Sequence, residues 1–301
     1  MISPALRFAV SVICLGILLW WTDAAGVRAR LQGADHVWTG LALLAVTAAT
    51  WSMARRWQMS ARALGIEISF AGALREYYLG QLVNSTLPGG VAGDMARALR
   101  LRHDADLTRA AQSVMAERLL GQMAMFAIAF AGFTAALALP GGPDWPGAFR
   151  AVPAGIGVCA VLAVILSRTS GPAGRFTRLI IRCQRQPEML LHALVTPVCL
   201  IFGFYACARA TGTLIPAAGW ATLIPLILSA MLIPLSVGGW GWREGAAAAL
   251  FPLIGASATA GVAAGVAYGA VVLIATFPAL PVLFRRHVPK TLPTKRSSHP
   301  T

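Results

Sequence analysis

The sequence is short of charge. Only 12% of its 301 residues are Asp, Glu, Lys or Arg, against about 25% in soluble domains. Acidic residues number 11 against 25 basic ones, and the lysines are Lys290 and Lys295 alone, so arginine supplies nearly all of the net charge of +14. With 57% hydrophobic residues and a mean hydropathy of +0.68, that scarcity excludes an ordinary soluble globule and indicates an integral membrane protein. Cysteine is sparse too. Cys14, Cys159, Cys183, Cys199 and Cys207 contain no C-x-x-C pair, which argues against a zinc site and a disulfide framework. Four histidines (His36, His103, His287, His299) read as loop or tail residues, and His192 as an interfacial residue rather than a ligand. No nucleophile elbow, phosphate loop or metal-binding pattern occurs. The expectation is therefore no cofactor, no metal and no catalytic residue. The arginines adjoin apolar runs and form no basic-aromatic module, so nucleic acid is not an expected partner. They read as topology signals and contacts for anionic lipid.

What is present is a set of apolar runs near the roughly 20 residues that cross a bilayer. Full spans are expected at about 5–22, 37–53, 119–139, 151–167, 189–208 and 259–284. The first resembles a signal peptide in its Arg7 and its small residues Ala24, Ala25 and Gly26, but Trp20-Trp21 suits an interfacial anchor better. Two further apolar segments are broken. Residues 66–97 contain Pro88-Gly89-Gly90, and residues 217–253 contain Pro225, Pro234 and Gly238-Gly239.

Charge orients these segments. Arg55, Arg56 and Arg62 follow the second span, and Arg97, Arg100, Arg102, Arg109 and Arg118 precede the third. Arg168, Arg175, Arg178, Arg182 and Arg185 join the fourth and fifth, and Arg285, Arg286, Lys290, Lys295 and Arg296 follow the last. The positive-inside rule makes all of these cytoplasmic, with both termini inside. The first broken segment then enters and leaves from the cytoplasm and the second from outside, so both are expected to be re-entrant. Eight ordinary spans would also keep both termini inside, but would put the cluster from Arg97 to Arg109 outside. The expected fold is all-α and polytopic: about six full spans plus two re-entrant broken-helix pairs in an inverted-topology repeat. One transmembrane domain would occupy residues 1–288, in halves of about 1–140 and 148–288, divided by the Pro/Gly-rich loop 140–147. A basic, disordered cytoplasmic tail would occupy 289–301.

The breaks are where chemistry is expected. Irregular backbone at membrane depth is tolerated only when buried in protein or lining water. Asn84, Pro88, Gly89, Gly90 and Gly93 would make the first break, and Pro234, Ser236, Gly238, Gly239 and Gly241 the second, with Ser85 and Thr86 also able to satisfy freed backbone groups. Charged groups lie beside them: Asp94 and Arg97, which share a helix face, Glu117 and Arg118 at the start of the third span, and Arg243 and Glu244. A charge at the bilayer centre costs about 2.5–3.5 kcal/mol on the insertion scale unless paired. Cross-pairing of Asp94 with Arg243, or Glu244 with Arg118, would relieve this. Arg97, Arg118 and Arg243 are candidates to read a lipid phosphate by bidentate hydrogen bonding. Asp94, Glu117 and Glu244 would balance them or meet a cationic headgroup; the alternative is that these groups only lock helices together. Tyr77 and Tyr78 read as packing residues. Gly261, Gly265 and Gly269 form a close-packing stripe on the last span.

These pieces resemble the flippase-like family of the lysylphosphatidylglycerol synthase transmembrane region. The resemblance rests on Arg75, Tyr78-Leu79-Gly80, Asn84, Leu87-Pro88-Gly89-Gly90-Val91-Ala92-Gly93-Asp94 and Arg97, then Glu117-Arg118, then Pro234, Gly238-Gly239-Trp240-Gly241 and Arg243-Glu244. Ala92 stands where the family often has glycine. The resemblance implies lipid translocation in the bacterial inner membrane, with phospholipid or polyprenyl-type lipids as substrates and a lipid-biosynthesis enzyme as a possible partner. Bifunctional relatives carry a soluble aminoacyl-transferase domain after the membrane region. Little sequence follows the last span here, so a stand-alone member without synthase activity is expected. A membrane-embedded enzyme acting on a lipid-linked phosphate, or a scaffold, are the alternatives.

Overall fold

The computed structural model describes residues 4–87, 91–101, 106–138, 145–233 and 236–281. Pro88, Gly89, Gly90, Pro234, most of the loop 140–147 and the tail 289–301 lie outside the described residues. Among those described, the regular elements are helices: α1 (Pro4–Trp21), α2 (Ala24–Gln32), α3 (His36–Ala63), α4 (Phe70–Thr86), α5 (Ala92–Leu101), α6 (Leu107–Ala138), α7 (Ala151–Ser167), α8 (Pro172–Gln184), α9 (Pro187–Ala210), α10 (Ala217–Trp220), α11 (Leu223–Ser229), α12 (Trp242–Leu250) and α13 (Ala258–Ala275). Side-chain caps start α3, α4 and α13. Asp35 accepts from the N–H groups of Val37 and Trp38, Ser69 from Gly72 and Ser257 from Ala260. Pro172 and Pro187 open α8 and α9, where a missing N–H costs nothing.

Among the described residues, four helices are long and apolar enough to cross a membrane: α3, α6, α9, and α13 with its short extension to Ala279. Two bent pairs, α1 with α2 at 98° and α7 with α8 at 113°, bring the candidates to six if each pair is one span. The protein is thus an all-α polytopic membrane protein. The order bent pair, long helix, broken pair, long helix occurs in each half.

Several boundaries differ from those read off hydropathy. The second span does not stop at Met53; α3 continues to Ala63 and carries Arg55 and Arg56. The third begins at Leu107, so Glu117 and Arg118 lie in the middle of α6 rather than at its start. At 1.5 Å per residue the 28 residues of α3 and the 32 of α6 reach roughly 42 and 48 Å, well past a hydrocarbon core of about 30 Å. Residues 168–185 read as a basic loop, yet 172–184 fold as α8, whose Ile180 and Cys183 bury against Met59, Leu120 and Met189. In each case charge marks the end of an apolar run, while the helix continues because its charges are paired or lie on an outer face.

The centre is the pair α3–α9, with α6 and α13 each packed against both. Contacts run in opposite order along the two helices: Asp35 with Ala210, Val46 with Gly203, Ser52 with His192 and Arg55 with Glu188. They are therefore antiparallel over nearly their whole length. The first broken segment is an antiparallel helical hairpin by the same test. Asn84 bonds Gly93, Tyr77 lies under Arg97, and Glu76 pairs with Arg100. Close approach is possible because a Cβ on Gly93 would collide with the Gly80 carbonyl.

Candidate functional site

The two breaks meet. Gly238 packs on the backbone of Ser85, and an added Cβ there would stand 3.2 Å from the Ser85 Cα. Around this contact lies a cavity of about 670 Å³. The first half lines it with Tyr77, Asn84, Ser85, Asp94, Arg97 and Arg118, and the second with Met231, Ile233, Ser236, Gly238 and Gly239. Apolar side chains complete the wall, among them Met53, Met95, Met115 and Leu119. Methionine fills irregular space adaptably, which suits variable apolar ligands.

Local sequence builds each rim. At the first break, Asn84 Oδ1 accepts the Gly93 N–H at 2.7 Å, tying the end of α4 to the start of α5. The second break turns on Gly238, Gly239 and Gly241, with φ of +54°, +81° and +90°, a region that L side chains disfavour. Ser11 Oγ accepts the Val237 N–H at 2.8 Å, so α1 braces this turn. Glu244 Oε2 accepts the Gly241 N–H at 2.7 Å and closes the N-terminus of α12.

A charge cluster lies against the cavity. Arg97, 2% exposed, donates to Asp94 Oδ1 at 2.7 Å through Nη2 and approaches Glu117 Oε2 at 3.3 Å. Its guanidinium packs on the Tyr77 and Trp57 rings, 4.4 and 4.7 Å from the ring centroids. Glu117 Oε1 accepts from Arg56 Nη2 at 2.6 Å and from the Tyr77 hydroxyl at 3.2 Å. Asp94 also pairs with Arg118, whose side chain is about half exposed. Asn84, Gly93, Asp94, Arg97, Glu117 and Arg118 are thus gathered in one place, with Ser236, Gly238 and Gly239 facing them.

Arg243 and Glu244 stand apart from the cavity lining. Arg243, 1% exposed, donates to Glu244 Oε1 at 2.5 Å and packs on Trp240 and Tyr268. The cross-pairs Asp94–Arg243 and Glu244–Arg118 do not form; the charged groups at each break pair within their own half. The reason is proximity. Glu244 adjoins Arg243 on the same helix start, and Asp94 lies one turn from Arg97. The glycine stripe explains how Arg243 fits: Gly261, Gly265 and Gly269 face Ala247, Glu244 and Arg243 of the neighbouring segment.

The charge pattern places Arg56 in a cytoplasmic cluster, whereas the structure buries it against Glu117. Adjacent helix positions point apart, so Arg55 reaches out to Glu188 while Arg56 turns in to Glu117. The available signal was Gly121, where any Cβ would displace the Arg56 guanidinium. Tyr77, read as a packing residue, also bonds Glu117. Among the described residues no group of three His, Cys, Asp or Glu is arranged to hold a metal ion.

The sequence profile described as the lysylphosphatidylglycerol synthase TM region matches residues 5–279. Among curated proteins none matches.

Proposed function

The chain belongs to the family of the lysylphosphatidylglycerol synthase TM region, and we propose from that premise that it carries a phosphate-bearing lipid between the leaflets of a bacterial inner membrane. The family makes it a membrane protein of lipid-related function. The observation that supports transport is the meeting of two helix breaks, one from each half, at one cavity lined by Arg97, Arg118 and Asp94 in otherwise largely apolar walls. Guanidiniums suit phosphate and the methionine-rich wall suits acyl or prenyl chains.

The antiparallel α3–α9 pair supports the inverted repeat. Each of these helices precedes the broken pair of its own half, and equivalent helices running in opposite directions are what an inverted repeat requires. In this reading the basic ends of α3 and α8 face the cytoplasm with both termini, and lipid enters from either leaflet by rocking of the halves about their common cavity. The partners are membrane lipids, anionic or phosphate-bearing, and a lipid-biosynthesis enzyme that supplies them.

Reconstitution with fluorescent phospholipid followed by dithionite quenching tests this. Wild type is expected to expose inner-leaflet probe, and Arg97→Ala and Arg118→Ala to slow that exchange roughly tenfold or more, the effect of losing one charged binding contact. Rates equal to wild type in both variants would remove the cluster from transport. Lipid analysis of a deletion strain separates the enzyme alternative. A normal lipid in the wrong leaflet fits a carrier, and a missing lipid species fits an enzyme.

A further inference from the structure

We propose that the cavity holds one oxyanion subsite, shared by both halves and matched to a single negative charge, so that it takes a phosphodiester in preference to a phosphomonoester. This rests on the lipid-binding reading above and adds a charge selectivity to it.

The first observation is a pair of unused donors. Arg97 spends Nε and Nη2 on Asp94 and Glu117, but its buried Nη1 has no hydrogen-bond partner. Ser236, 3% exposed, lines the same cavity from the other half, and its buried Oγ has no partner either. Buried polar groups are rarely left so, and each exception asks for a reason. An oxyanion accepting from both would satisfy them together. It would join the α5 side of the first break to the turn of the second.

The second observation is the charge balance. Arg56, Arg97 and Arg118 form one connected cluster with Asp94 and Glu117. Three guanidiniums against two carboxylates leave the cluster with one positive charge in excess beside the cavity. One negative charge neutralises the cluster. A phosphodiester carries one charge shared by two non-bridging oxygens, one for each free donor. A phosphomonoester carries about −1.5 to −2 at neutral pH, and as the dianion it would turn the cluster net negative at the same depth. Trp57 and Tyr77 both pack on the Arg97 guanidinium, which limits its freedom to adapt to a second charge.

The test uses the purified full chain in detergent micelles. The probes are short-chain phosphatidylglycerol as diester lipid, short-chain phosphatidic acid as monoester lipid, dimethyl phosphate and inorganic phosphate, with binding read by calorimetry at pH 8. Wild type is expected to favour the diester lipid over the monoester lipid by roughly tenfold. Asp94→Asn and Glu117→Gln each add one positive charge to the cluster, and the preference is expected to reverse toward the monoester in either. Ser236→Ala is expected to weaken both lipids several-fold and leave their ratio unchanged. Because Asp94 lines the cavity and is less buried than Glu117, its variant tests the charge rule even if Glu117→Gln does not fold. An unchanged ratio in a folded charge variant, or a wild-type preference for the monoester, would overturn the proposal. Dimethyl phosphate binding as tightly as the diester lipid would support the subsite while counting against a lipid occupant. Charge-selective binding without lipid exchange in vesicles would likewise leave the subsite standing and sink only the transport reading.

Discussion

At the scale of single residues, glycine sets how closely helices approach and buried arginine sets what the approach encloses. Gly93 sits against the Gly80 backbone, so Gly93→Ala must push α5 off α4. Overpacking of this kind costs about 1–3 kcal/mol. A clear fall in the thermal-aggregation midpoint in detergent is expected, together with weaker lipid binding. Gly16→Ala is the matched control, because nothing lies within 4 Å of an added Cβ, and it is expected to stay within about 0.5 kcal/mol of wild type. Arg56 is the second case. Breaking a buried ion pair costs about 3–5 kcal/mol because the remaining charge is stranded. Glu117 keeps Arg97 and Tyr77 when Arg56 is removed, so Arg56→Ala is expected near the lower end, about 3 kcal/mol. Arg56→Met combined with Glu117→Gln removes both charges and is expected to cost less than Arg56→Ala alone. Additive losses in the double variant would show that the two side chains do not act as a pair.

At the scale of elements, the sequence was readable where one physical signal dominated. The spans announced themselves by hydropathy, and the breaks by Pro and Gly. The charged ends were less readable, because a hydropathy run stops at the first arginine whether that arginine meets water or a buried carboxylate. Arg56 and Glu117 lie 61 residues apart in sequence, and nothing local says that they meet. The bends of α1–α2 and α7–α8 were likewise invisible, because each apolar run reads as complete before the chain turns. The gathering of Asp94, Arg97 and Arg118 followed from one segment and its neighbour, whereas the separation of Arg243 and Glu244 from the cavity depends on the packing of α13. The hairpin character of α4–α5 carries a topological prediction. Gly65 precedes the hairpin and Asp106 follows it, so in the re-entrant reading both face the cytoplasm. In a variant freed of the five native cysteines, Asp106→Cys is expected to react with a membrane-impermeant thiol reagent in inverted vesicles and not in intact cells. Strong labelling of intact cells would mean that this segment crosses the membrane.

At the scale of the whole molecule, the division into halves makes a prediction about assembly. The halves meet along α3–α9, where Ala42 and Val46 pack on Gly203 and Tyr205 packs on Trp38. Polar contacts continue the seam at Ser52, His192 and Thr196, and the Arg55–Glu188 pair closes its end. An interface so long and so largely apolar resembles a domain core cut in two, which is how permanent interfaces are built. The covalent link between the halves crosses the Pro/Gly-rich loop 140–147, and loops of that composition tolerate cutting. Residues 1–142 and 143–301, co-expressed as separate chains, are therefore expected to copurify and to restore lipid exchange in the dithionite assay. Gly203→Leu is expected to weaken the association of the split halves more than it lowers the stability of the intact chain, because an added Cβ already stands 3.2 Å from the Val46 side chain and only the split protein can respond by separating. Stable, active association unaffected by Gly203→Leu would show that α3–α9 is not the seam. Failure of the wild-type halves to associate would show that the loop, rather than this packing, holds the two breaks over their common cavity.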